Sequence, residues 1–183
     1  MQQIETLQPA RLLENELFGQ GEANVFAILD GASVPNLPRL LHEFDPEHEC
    51  LYRGDLEPDM REVAPYLVRL ERGSGFTGRV LDRGWGKHWG VFALSNAGLA
   101  DLRRQLRKFL IVHDGDGKPM YFRYYDPRVL RVYLPTCNVE ELKTVFGPIS
   151  CYLMEDEDPG SLLRFRFLGD RLVTDKEPLA KEN

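Results

Sequence analysis

The sequence predicts a mixed α/β (α+β) chain, with a central mixed β-sheet flanked by helices and a small C-terminal β-rich lobe. Three observations predict it. Val25 to Leu29 lie in an unbroken apolar run, NVFAILDGA, of the kind that marks a strand buried on both faces and therefore central in a sheet. Short strand-like and helix-like segments alternate from there to Gly147-Pro148. From Ile149 the pattern becomes strands and turns alone. The chain divides on this basis into an α/β domain over residues 1–148 and a C-terminal β-rich extension over 149–183.

Residues 9–18 carry Leu12, Leu13 and Leu17 at helical spacing. After the apolar run, PNLPRLLHEF predicts a short helix, CLYRGD a second strand, EPDMREVA one or two helical turns before Pro65, and PYLVRLE a third strand. GFTGRVLDRGWG predicts a helix loosened by glycine, followed by HWGVFALS as a strand. Ser95 is placed to cap the helix AGLADLRRQLRKFL. There Leu99, Leu102 and Leu106 form the dry stripe, and Arg103, Arg104, Arg107 and Lys108 a solvated basic face. LIVHDGDGKPMYFRYYD predicts a β-hairpin about an Asp-Gly-Asp-Gly turn. NVEELKTVFG carries a capping box, Asn138 with Glu141. In the C-terminal part, Leu163, Phe165 and Phe167 alternate with Arg164 and Arg166, giving one dry and one wet strand face, and a hairpin turns at Gly169-Asp170. The dry face must cover either the main domain or a partner.

The chain has 183 residues, 43% hydrophobic and 28% charged, the balance of a globular protein. Its net charge of −6 excludes a general nucleic-acid binder, which needs a basic surface. No apolar stretch approaches the ~20 residues that span a bilayer, so no membrane partner is expected. The first residues, MQQIETLQPARLLENELF, show neither the basic nor the apolar region of a secretory signal. Cys50, Cys137 and Cys151 are an odd count without CxxC spacing and read as thiols in a reducing cytoplasm.

Known chemical motifs fail on spacing. HDGDGK opens like a calcium loop, but the twelfth position from Asp114 is Tyr125 rather than glutamate. Among His42, His48, His88 and His113, only His48 has a cysteine near it, and two residues do not make a zinc site. No nucleophile elbow or dinucleotide fingerprint follows a strand. Asp30, Asp82 and Asp126 are carboxylates that spacing alone does not bring together. No catalytic residue, cofactor site or metal site is therefore expected. In GWGKHWG, Trp85 and Trp89 read as closing one end of the core, with anchorage of a partner as the alternative.

YFRYYDPRVL, residues 121–130, holds two arginines around a strand-to-helix corner. Asp126 suits an N-cap and Pro127 a first helical position. Arg123 falls on a strand face with Tyr121 and Tyr125, where a charge needs a partner. Arg128 sits in the first helical turn, where the helix dipole disfavours a cation, so it also needs one. Asp30, at the end of the central strand, is the preferred carboxylate. The corner thus reads as a structural lock.

These segments, LDGA, LYRGDLEP, APYLVRLE, WGVFALS, the Leu-rich helix and FRYYDPRVL, occur in an order that closely resembles the type VI secretion effector adaptors of domain-of-unknown-function family 4123. The resemblance spans about residues 25–148, and Arg123 to Arg128 is its most specific part. It implies a non-catalytic cytoplasmic adaptor, or chaperone, encoded with a toxin effector. Such an adaptor binds its cognate effector and helps load it onto the VgrG spike, often through the spike's C-terminal region. Two other classes remain: an immunity protein blocking a neighbouring toxin, and an enzyme using the arginine corner as an anion clamp. Trp85, Trp89, Leu163, Phe165 and Phe167 are the candidates for partner contact.

Overall fold

The computed structural model describes residues 9–19, 21–113 and 115–179. The elements run α1 (Pro9–Phe18), β1 (Asn24–Asp30), α2 (Leu37–Phe44), β2 (His48–Cys50), α3 (Pro58–Val63), β3 (Pro65–Leu70), α4 (Gly75–Gly84) and β4 (Gly90–Ser95). They continue with α5 (Leu99–Leu106), β5 (Ile111–His113), β6 (Pro119–Tyr121), α6 (Pro127–Tyr133), α7 (Val139–Phe146), β7 (Ile149–Glu155), β8 (Ser161–Leu168) and β9 (Arg171–Pro178).

Seven strands form one sheet in the order β2-β3-β1-β4-β7-β8-β9, and β5 and β6 form a separate hairpin. Every ladder is antiparallel, so the sheet is not mixed in direction. An apolar run reports burial of both faces, which helices achieve here without parallel strands. Along β1, Val25, Ala27 and Leu29 enter a core shared with Leu13 and Leu17 of α1, Leu41 of α2 and Val80 of α4. Phe26 and Ile28 enter the opposite core, against Leu102 of α5, Leu130 of α6 and Phe146 of α7. The molecule is thus helices, sheet, helices in three layers, with β1 an interior strand between β3 and β4. The C-terminal strands continue this sheet, because β7 pairs with β4.

Several local expectations differ from the structure. The second strand is His48–Cys50, ahead of the expected CLYRGD. Leu51 N–H donates to Pro65 O (2.9 Å) at the start of β3, the Leu51 side chain is buried, and the chain then turns through Gly54, whose φ is +81°. Ser95 does not cap α5; Gly98 holds that position. Ser95 Oγ instead donates to Pro148 O (2.8 Å) and accepts from Ala97 N (3.1 Å), fastening the end of β4. The helix stops at Leu106, and the following turn buries Phe109 and Leu110. Its basic face is only partly solvated. Arg107 donates to the carbonyls of Cys50 (2.9 Å), Leu51 (2.9 Å) and Tyr52 (2.7 Å), and Arg103 pairs with Glu49 (2.5 Å).

The strand expected to run to Tyr125 ends at Tyr121. Tyr124 and Tyr125 are both buried. A strand sends consecutive side chains to opposite faces, whereas the turn closed by Asp126 N–H and Arg123 O (3.0 Å) leads both tyrosines inward. On β8, Phe165 is buried, and Leu163 and Phe167 pack on the α5/α6/α7 side; the Phe167 and Phe146 rings are 5.9 Å apart. These residues cover their own domain. The expected wet face is not wet at Arg164, which is 8% exposed and held by Glu16 of α1 (2.7 Å) and Glu177 of β9 (3.0 Å).

Candidate functional site

The corner after the hairpin is built from the ends of β1 and α6. Asp30 is buried at the end of β1, and the Gly31 that follows has no room for a side chain. A Cβ there would lie 2.4 Å from Ala64 O and 2.7 Å from Glu62 O. That close approach turns the chain and leaves the Asp30 carboxylate facing the corner. Its Oδ1 accepts from Ala32 N (3.1 Å), and its Oδ2 accepts from Ser33 Oγ (2.9 Å) and from Arg123 Nη2 (2.6 Å).

Asp126 caps α6 by accepting from Arg128 N (3.0 Å). The same carboxylate receives Arg128 Nε (3.0 Å) and Nη2 (2.7 Å) in a fork, and Arg123 Nη2 lies 3.6 Å away. Arg123 therefore stands between Asp30 and Asp126, carboxylates 96 residues apart in sequence. Pro127 provides the first residue of α6. Asp82 is not part of this network; it pairs with Arg83 on α4 (3.0 Å).

Burial by itself would raise the Asp126 carboxyl. Hydrogen bonds from the Arg128 side chain and backbone, with the charges of Arg128 and Arg123, outweigh burial and hold it below its ordinary value. The hydrogen bond to Asp30 raises Arg123, and the hydrogen bond to Asp126 raises Arg128. Beside them, burial first and then the neighbouring Tyr52 push Tyr125 up. The two guanidinium groups are engaged with carboxylates of the chain itself. Each arginine side chain is nevertheless about half exposed, so the network sits at the surface with a buried acidic side.

The tryptophan loop is held from an unforeseen position. Glu155, buried at the end of β7, accepts from Gly86 N (2.5 Å) and His88 N (3.0 Å) and contacts His88 Nδ1. Gly86 and His88 both have positive φ, +75° and +58°. Trp85 donates from Nε1 to Pro159 O (2.7 Å) and stacks on Phe92, while Trp89 is buried against Gly84. The tryptophans close one end of the core, and their contacts tie the loop to β7 and the turn after it. The sequence signal for Glu155 was an acidic residue ending the dry strand CYLM, a weak one without a partner to assign.

Among the described residues, no three His, Cys, Asp or Glu side chains are grouped to hold a metal ion. No helix there is long and apolar enough to cross a membrane. Asp114 of the HDGDGK turn lies outside the described residues.

No curated protein and no solved structure matches the chain. A family model, described as a domain of unknown function, DUF4123, matches residues 25–144. The match runs from β1 into α7 and includes Asp30 and the whole Arg123–Arg128 corner. The chain therefore belongs to the DUF4123 family, known as type VI secretion effector adaptors.

Proposed function

We propose that this chain is a non-catalytic adaptor that binds one cognate toxin effector in the cytoplasm and helps load it onto the VgrG spike. Family membership across the β1-to-α7 region is the observation that carries this reading. The corner geometry supports it against an anion-clamping enzyme. Arg123 and Arg128 already bind Asp30 and Asp126, so an incoming anion would have to compete with tethered carboxylates. A locked corner suits a scaffold that presents its surface to other proteins.

The test is co-purification of the chain with the toxin and the VgrG protein encoded beside it, together with deletion of its gene. Binding to both proteins, and loss of toxin export that a plasmid copy restores, is the expected result. A chain that binds the toxin and protects sensitive cells while its deletion leaves export intact is an immunity protein instead. Turnover of a small substrate that disappears with Arg123→Ala would establish the enzyme reading.

A further inference from the structure

Nine large hydrophobic side chains stand exposed among the described residues, and three of them, Ile111, Met120 and Tyr121, belong to the β5–β6 hairpin. Their exposures are 50%, 46% and 53%, although each strand has only three residues. Among the described residues the hairpin pairs with no other strand. An isolated two-stranded hairpin is marginally stable, so its base has to be held by the body. Phe122 N–H donates to Leu110 O (2.9 Å) there, and the Tyr121 ring lies 4.7 Å from that of Tyr52. Tyr52 in turn packs against the core cluster that holds Tyr125, next to the Asp126 corner. The motif corner thus buttresses an apolar projection.

Ile111 and Tyr121 are cross-strand partners and share one face of the hairpin. With Tyr52 they form the apolar side of a cleft of about 290 Å³. Its remaining wall carries Arg53, Arg107 and Lys108, and among the described residues no carboxylate lines it. Arg107 is fixed to three backbone carbonyls, which leave its charge unneutralised. Burial first, and then repulsion from Arg103 and Arg53, lowers its proton affinity. This is a basic site on a chain whose net charge is −6.

Resting on the adaptor reading, we infer that the Tyr52/Ile111/Tyr121 cleft docks an acidic segment of the toxin effector that carries a large aliphatic or aromatic side chain. The apolar residue packs between Tyr121 and Ile111, and flanking Asp or Glu side chains meet Arg53, Arg107 and Lys108. Apolar contact supplies affinity, while the cations steer approach and set the register. A basic or purely polar segment would leave the cations unpaired and the aromatic lip wet.

The probe is the purified toxin encoded beside this chain, titrated by calorimetry at low and high salt. The chains compared are wild type, Ile111→Ser with Tyr121→Ser, Arg53→Glu with Lys108→Glu, and Val132→Ser on α6 as a control at another exposed apolar residue. Wild type and Val132→Ser should bind equally, more weakly as salt rises. Each double variant should lose at least about tenfold in affinity, or about 1.4 kcal/mol, with the thermal midpoint unchanged in the charge-reversed pair and lowered only slightly where Tyr121 leaves the Tyr52 ring. The charge-reversed pair should also lose the salt dependence. Toxin binding unchanged in both double variants, or loss of VgrG binding in place of toxin binding, overturns this assignment while leaving the adaptor reading intact. A wild-type chain that binds neither toxin nor VgrG overturns the adaptor reading, and this inference with it.

Discussion

Replacing Arg123 with alanine removes the one side chain that reaches both Asp30 and Asp126. Asp30 would keep its Ser33 and Ala32 donors but lose its charged partner, while its side chain is only 2% exposed. Breaking a fully buried pair from one side costs about 3–5 kcal/mol, and breaking an exposed pair about 0.2–1 kcal/mol. The Arg123 side chain is 46% exposed, so solvent screens part of the interaction. The expected cost lies between those limits, at about 2 kcal/mol. For a chain of this length that corresponds to a fall of about 4–8 °C in thermal midpoint. Arg128→Ala should cost less, about 1 kcal/mol, because its exposed fork joins residues two apart and ties no distant elements together. Urea unfolding of both variants, with matched m-values, measures the difference. If Arg123→Ala costs no more than Arg128→Ala, the corner is not a long-range lock. If both variants keep full stability while a catalytic activity disappears, the corner is an active site.

Asp126→Ala should destabilise by about 2 kcal/mol through its lost cap and the lost Arg128 fork, whereas Asp126→Asn should lose less because an amide oxygen still accepts from Arg128 N; urea midpoints separate the two. Since the Asp126 carboxyl is held below its ordinary value of 3.8, its contribution is fully present above that pH and is lost as pH falls through the lower folded value. The stability gap between wild type and Arg128→Ala should accordingly narrow as urea midpoints are followed from neutral pH to about pH 3. Gly31→Ala should cost about 3 kcal/mol by calorimetry, because its methyl meets three backbone atoms within 3 Å that cannot move aside singly. Burial pushes the Cys151 thiol up to about 12, so in the native protein iodoacetamide should label Cys50 and Cys137 well before Cys151, and mass spectrometry of the labelled chain reads the order.

The central position of β1 was legible because five successive apolar residues have no solvent-facing member. The α6 and α7 starts were legible because Asp-Pro and the Asn138/Glu141 box act over a few residues. The cap of α5 was misplaced at Ser95, since a serine before a helix also bonds to strand ends, and Pro148 O, 53 residues away, takes its hydroxyl. Tyr121 to Tyr125 looks like a strand by composition, yet two consecutive buried tyrosines require a turn. Strand direction, the covering of Arg164 by Glu16, and the Glu155 clamp are long-range facts that no local pattern encodes. At the site itself, the Arg123–Asp30 contact was foreseeable from the need to neutralise both charges. The exposed apolar hairpin was not, because a strand pattern identifies apolar side chains without saying which remain uncovered.

The register between β4 and β7 also bears on how the chain is made. β1, β3 and β4 leave the ribosome long before β7, and until Ile149–Glu155 follows, Phe92 to Ser95 offer an open row of backbone donors and acceptors. The nascent chain therefore passes through a stage with its central sheet half closed and prone to pair with another copy. Synthesis stopped shortly after residue 144, where the family match ends, would make that stage permanent.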